Sequence, residues 1–304
     1  MTWECWQLVY QAKAPVHIGY RTVGNIKLSR YYIPGKNFWG AATARLASLI
    51  KPLDYHGVGE FIRNNFIFSY FYPSTEPGKS YLPVFDREKG WRYGDLRQEE
   101  FEYNCINSLA GTSILSSTST AADGTLHEIE YINSYWKTNE GQPVLFVGYL
   151  FVKKGAAYKG CKVGWNFGDL ILCDILSDLS IGGERRYGFG RLQLIDRHCK
   201  PVSGDLYGGR GIWELDLDNR IIKVKALTDD AQLLAHCNVN KVDKASGALE
   251  PVVGREWVDD ESSALKGRGA GQALKRLGIC WTPGSLVRKN TVLKIGAYGI
   301  WSFD

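Results

Sequence analysis

The residues best suited to chemistry lie in one short run, Gly182-Gly183-Glu184-Arg185-Arg186-Tyr187-Gly188-Phe189-Gly190-Arg191. Glycine permits positive φ and close approach of the main chain, so its N–H groups can face a ligand. Arg185, Arg186 and Arg191 add guanidinium forks that match phosphate oxygens two at a time. Tyr187 and Phe189 offer rings that can stack on bases or pack beneath the loop. Together these types predict contact with a phosphate backbone. The competing use of the same residues is a structural hairpin whose arginines are simply solvated.

A second segment has related chemistry. His17-Ile18-Gly19 opens a basic loop that carries Arg21, Lys27 and Arg30, and Tyr32-Ile33-Pro34-Gly35-Lys36-Asn37-Phe38-Trp39-Gly40-Ala41 follows it. Lys36 and Asn37 then sit where a helix should begin, and a helix start attracts anions through its free N–H groups and dipole. Gly40 leaves room for another chain, and Arg45 lies on the far side of the same helix. A cap with close helix–strand packing would use these residues equally well.

Other chemistries fit less well. The seven cysteines are scattered with no CxxC pair, so neither a zinc ribbon nor a disulfide framework is expected, and a reducing cytosol follows. His198-Cys199 is too tight to chelate one ion, and His236 has no cysteine at ligand spacing. His17, His56 and His127 are the candidates for acid–base catalysis, with Tyr31, Tyr32 and Lys36 nearby. Gly267 to Gln272, followed by Lys275-Arg276, departs from the GxxxxGK[ST] phosphate loop, and no apolar strand precedes it. Asp259-Asp260-Glu261, Asp229-Asp230 and Glu99-Glu100 read as solvated charge. No cofactor and no metal are expected.

The elements that must position these residues follow from periodicity. Trp6 to Val16 alternates as a strand, and Asn37 is expected to cap a helix from Phe38 with Phe38, Ala42, Leu46 and Leu49 on one face. Phe61 to Tyr72 reads as an aromatic strand. Residues from about 73 to 125 read as a long insertion. Ile129–Ile132 and Val144–Val152 are further strands. Phe167 to Leu179 reads as a second helix with Gly182-Gly183 at its C-terminal end, followed by a strand from Tyr187 to Ile195. That order, strand, helix, strand, strand, helix, strand, predicts an α+β, ferredoxin-like (RRM-like) core over residues 1–200. Residues 201–304 form a C-terminal extension, with strands near 212–224, 285–294 and 298–303, or a second, degenerate ferredoxin-like unit.

Composition is compatible with this. The 304 residues are 44% apolar and 23% charged, as in a soluble globular protein, with a net charge of +5 that suits an anionic partner. Glycine (34) and aromatics (10 Trp, 17 Tyr, 12 Phe) are abundant, which fits many strands joined by tight turns. The N-terminus shows no signal-peptide pattern, and no apolar stretch approaches the ~20 residues of a membrane span, so a cytoplasmic location is expected.

The HIG motif, then IPG followed by a glycine and a helical arginine, then GGERRYGFGR, resembles the repeat-associated mysterious proteins of CRISPR effector complexes. Thr120 to Glu130 and Pro143 to Gly148 resemble that family's central hairpin region, and the motifs span residues 16 to 191 in family order. The resemblance implies a ferredoxin-like subunit of a type III complex. Its partners would be the CRISPR guide RNA, other backbone subunits of the same superfamily, a large polymerase/cyclase-like signalling subunit and, indirectly, target RNA. Some backbone subunits cut RNA with an aspartate in the loop after the first strand. Here Tyr20 to Ile33 contains neither Asp nor Glu, so no carboxylate is present to hold Mg²⁺. That favours the non-catalytic end-capping subunit that holds the 5′ handle of the guide. The alternatives are an inactive backbone subunit and a metal-independent repeat-processing ribonuclease using His17 or His56. In such nucleases the glycine loop lies near the C-terminus, whereas 113 residues follow Arg191 here.

Overall fold

A computed structural model describes the chain except for residues 1, 87, 89, 139–140, 167, 208–211, 218–220, 230, 240–244 and 257–272. The architecture is mixed α+β and rich in strands, with few helices. Trp3–Ala12 and Leu145–Lys153 pair antiparallel through nine residues at the centre of the first sheet. Both are buried on two faces, which is why Leu145–Lys153 is a near-unbroken apolar run rather than an alternating one. Phe66–Phe68 and Tyr72–Ser74 pair with one side of this centre, and Arg191–Leu194 pairs with the other, flanked by Asp178–Ser180.

The two faces of that sheet build two cores. Leu8, Tyr10 and Ala12, with Phe146, Leu150 and Val152, face the helices Gly35–Leu49 and Tyr55–Asn65. Trp3, Cys5, Tyr149 and Phe151 face a second sheet formed by the C-terminal part. That sheet runs in the order Trp213–Asp216, Ile222–Ala226, Val292–Ile295, Trp301–Phe303, Cys237–Asn238, Ala273–Trp281, Leu249–Glu256. Among the described residues after 201 the only helical piece is the 3-10 turn Ala297–Gly299.

Several elements differ from expectation for local reasons. The first helix starts at Gly35, and Asn37 is not its cap. Ile33 is pinned to Phe71 by reciprocal main-chain hydrogen bonds of 2.9 Å, so the extended Pro34 passes directly into the helix. Gly35 is required there, because a Cβ would strike the carbonyls of Phe68 and Tyr298. Phe61 is helical, since the Asp54 carboxylate accepts the Gly57 N–H at 2.7 Å and caps Tyr55–Asn65; the strand begins only at Phe66.

The expected second helix shrinks to one turn, Leu172–Ile175, and its Phe167 lies outside the described residues. Asp178–Ser180 is recruited as an edge strand by Arg191–Leu194, so Gly182-Gly183 opens a hairpin connection rather than ending a helix. The basic loop is itself a hairpin, Gly19–Val23 with Ile26–Ser29. The insertion is ordered around it. Helix Gln98–Cys105 buries Phe101 and Cys105 in the main core, and Ile106–Gly111 pairs with His127–Ile132 beside the basic hairpin.

Candidate nucleic-acid interface

Backbone hydrogen bonds to the segment after the first strand hold the glycine loop in place. Gly183 N–H donates to the His17 carbonyl at 2.9 Å, Gly190 N–H to Pro15 at 2.7 Å, and Lys13 N–H to Arg191 at 2.8 Å. Gly182 and Gly190 have φ of 85° and 86°, and a Cβ there would run into the carbonyls of His17 and Ile181, so both positions require glycine. Gly188 N–H closes the 3-10 turn Arg185–Tyr187 on Arg185. The N–H groups of Gly183, Gly188 and Gly190 are therefore spent inside the protein, and what the loop offers a ligand is side chains. Arg185 and Arg186 are exposed and have no acidic partner among the described residues, where Arg185 Nε donates to the Gly182 carbonyl. Tyr187 is exposed, whereas Phe189 is buried edge-on to Tyr131 at 5.1 Å. Arg191 is held by Asp178 at 2.8 Å.

The facing wall is made of the basic hairpin and the start of the first helix, and most of its cations are already neutralised. Lys27 pairs with Glu184 at 2.8 Å and so ties the hairpin to the glycine loop. Arg30 donates to Glu250 at 2.6 Å and to Tyr32 Oη at 2.9 Å, and is largely buried. Lys36 pairs with Glu256 and lies over the rings of Tyr298 and Trp39, 4.2 and 5.4 Å from their centroids. Arg21, on Tyr20, and Arg45, on the exposed side of the helix, have no acidic partner among the described residues.

Beneath this wall lies a polar cluster that sequence reasoning did not find. His236, fully buried, accepts from Tyr70 Oη at Nδ1 (2.6 Å) and donates from Nε2 to Glu250. Burial and the neighbouring Arg30 charge push the imidazole below its usual range, so it is the neutral ring. Burial pushes the Glu250 carboxyl up, but the His236 hydrogen bond and the Arg30 charge outweigh it and bring it down to about 2. The signal in the sequence was the alternation of Leu249–Glu256, which places two glutamates at buried positions of one strand.

Glycine loop, helix start and strand Leu249–Glu256 enclose a cleft of about 520 Å³. Arg185, Gly182, Gly183, Arg30, Lys36 and Asn37 line it, as do Gly40, whose missing side chain leaves open space, and Arg255, exposed and unanticipated. Arg21, Lys27, Arg45, Arg186 and the segment from Tyr187 to Arg191 lie outside its lining. His17 is buried, and its Nδ1–H donates to the Glu130 carbonyl at 2.6 Å, while His56 is exposed on the second helix; neither lines the cleft. Among the described residues no three His, Cys, Asp or Glu side chains gather as a metal site, and no helix is long and apolar enough to cross a membrane. The segment Gly267–Gln272 and the acidic run before it lie outside the described residues.

No family model and no curated protein matches the sequence. Solved structures do resemble it. A chain of the type III-B Cmr-beta complex bound to cognate target RNA aligns with a TM-score of 0.47 and 13% identity, covering 93% of this chain and 86% of that one. The same complex with target RNA and AMPPnP gives 0.45 and 14% over the same shares. Cmr4 gives 0.30 and 14%, covering 66% of this chain and 100% of that one. All of these likenesses are at low identity. What the cleft can do follows from its own residues.

Proposed function

We propose that the chain is a non-catalytic, guide-RNA-binding subunit of a type III RNA-guided complex. The order of strands in its first sheet supports reading it as a ferredoxin-like core. Arg191–Leu194, Trp3–Ala12, Leu145–Lys153 and Phe66–Ser74 lie side by side, with Gly35–Leu49 crossing between the first strand and the Phe66 edge. The second helix of that core is reduced to the turn at Leu172.

The observation that carries the proposal is the convergence of glycine loop, basic hairpin and helix start on one cleft, with Arg185 at its rim and Arg186 beside it unpaired with any carboxylate among the described residues. An extended sugar–phosphate strand fits such a cleft. Guanidiniums take its phosphates, the helix N-terminus adds a favourable dipole, and the glycines let the chain approach. Held this way, the strand would be the 5′ handle of the guide, and the exposed surfaces around it would meet backbone subunits of the same superfamily and the large signalling subunit. The carboxylate-free stretch Tyr20 to Ile33 supports a binding role over metal-assisted cleavage.

Anisotropy titration with repeat-derived RNA across salt concentrations tests this. The double variant Arg185→Ala/Arg186→Ala is expected to weaken binding of all sequences alike. The log–log salt slope should fall by about 1.4, roughly 0.7 for each single-strand phosphate that is no longer neutralised. An unchanged affinity and slope would remove the loop from the interface.

A further inference from the structure

A second cavity, of about 330 Å³, opens on the other side of the basic hairpin. We infer that it is a pocket for one unstacked nucleobase of the bound RNA, and that its chemistry selects guanine. The inference rests on the RNA-binding reading above and adds to it a base specificity that phosphate contacts cannot supply.

The lining sets the rings of Tyr20, Tyr31, Trp91 and Tyr93 beside Gln98 and two carboxylates, Glu130 and Glu250, of which Glu250 is already taken up by Arg30 and His236. The rings are held by the fold. Tyr93 stacks on the buried Phe101 at 4.4 Å, Tyr31 lies 5.6 Å from Tyr93, and Tyr31 Oη donates to Glu102 at 3.0 Å. Gln98 Nε2 donates to the same Glu102 oxygen at 2.7 Å, which fixes the amide. Ser29 N–H donates to one Glu130 oxygen at 2.9 Å, anchoring that carboxylate on the cavity wall. A preformed aromatic slot of this size with a few convergent polar groups is built for a flat ring with a polar edge.

Two observations choose RNA over a cationic peptide, which would also suit rings and a carboxylate. Arg21, which has no acidic partner among the described residues, lies over the Tyr20 ring, 5.2 Å from its centroid, and so places positive charge at the mouth. Tyr20 and Arg30 also line the phosphate cleft, so one wall separates the two spaces and a strand in the cleft could turn a base across it.

The choice of base follows from the acceptor. Guanine presents N1–H and N2–H side by side, and one carboxylate can take both. Adenine and cytosine pair one donor with a ring nitrogen acceptor that would face the carboxylate. Uracil sets its single N–H between two carbonyls. A site built to accept from two donors discriminates strongly against a base that lacks them.

The test uses the full chain and oligouridines of one length, each carrying a single guanosine, inosine or adenosine at successive positions. One register with guanosine should bind at least about tenfold more tightly than oligouridine, with inosine, which lacks the 2-amino group, between them. Glu130→Gln keeps an acceptor for Ser29 N–H and should bring the guanosine-to-uridine ratio close to one. Tyr20→Ala, at the exposed mouth, should lower the same ratio. Equal binding of all oligomers by the wild type, or a guanosine preference unchanged in Glu130→Gln, overturns the pocket and leaves the RNA-binding reading standing. Failure of every oligomer to bind overturns both.

Discussion

The two walls of the cleft carry the same kind of residue and use it in opposite ways. On the glycine loop, Arg185 and Arg186 stand in solvent and pair with no carboxylate among the described residues, the adjacent Glu184 being taken up by Lys27. On the hairpin and helix wall, Arg30 and Lys36 are buried against Glu250 and Glu256, two acids on one strand of the C-terminal sheet. The first wall leaves its charge unpaired among the described residues, while the second spends its charge joining the two halves of the molecule. A basic residue beside a cleft is therefore not evidence of binding until its counter-charge has been located. Exposed arginines cost little to keep free, whereas a buried cation without a partner would be severely destabilising.

The largest expected effect breaks the second wall. Arg30→Ala would leave Glu250 and the neutral His236 buried with no positive charge, and Glu250→Ala would strand Arg30. Each should cost about 3–5 kcal/mol in denaturant unfolding. The pH dependence has a definite sign. Glu250 is held at about 2, below the ordinary 4.5, so its contribution is complete above about 4.5 and is lost as pH falls toward 2. Glu250→Gln should flatten the acid limb of the stability curve. An acid limb identical to wild type would show that this carboxylate does not join the halves.

This division of labour was only half legible in the sequence. The central strands, the first helix and the position of the glycine loop follow from local pattern: an apolar run at Leu145–Lys153, a 3.6-residue stripe from Phe38, and glycines where φ is positive. The counter-charges do not, because Arg30 and Lys36 each find a glutamate 220 positions away, and nothing local marks that pairing. The second helix failed for a similar reason. The spacing of Ile171, Ile175 and Leu179 suits a helix, but pairing of Asp178–Ser180 with Arg191–Leu194 outweighs that propensity. Helix Gln98–Cys105 had a readable start, since Glu100 accepts the Arg97 N–H at 2.9 Å, yet the charges around Phe101 masked its short apolar face.

A smaller effect sharpens the comparison at the helix start. Lys36→Ala removes one of three groups on Glu256, which keeps Lys275 at 3.2 Å and Tyr298 Oη at 2.9 Å. The expected loss is about 1–2 kcal/mol of stability, less than at Arg30 because the carboxylate stays partnered. Thermal unfolding checks this, and RNA affinity measured well below the melting temperature should fall less than in Arg185→Ala/Arg186→Ala. A larger fall in affinity than in that double variant would move Lys36 from the joining wall to the binding one.

The smallest effect separates free from paired arginine within the loop itself. Arg191 sits five residues beyond Arg186, but the Asp178 carboxylate accepts from both its Nε, at 3.2 Å, and its terminal nitrogen, at 2.8 Å. The strand register makes that pair, because Ser180 lies opposite Arg191 and Asp178 stands two residues further along the same edge. Both side chains are exposed, so the pair is weak, and Arg191→Ala should leave the melting temperature near that of the wild type. Its effect on RNA affinity should be smaller than that of Arg185→Ala measured in the same buffer. Asp178→Asn would then release the guanidinium and tighten binding by less than about fivefold, the scale of an exposed ion pair, with the gain vanishing in Asp178→Asn/Arg191→Ala. If Arg191→Ala alone weakened binding as much as Arg185→Ala, the carboxylate would not be withholding that charge from the ligand, and the contrast between paired and free cations would fail at the one place where both occur on the same loop.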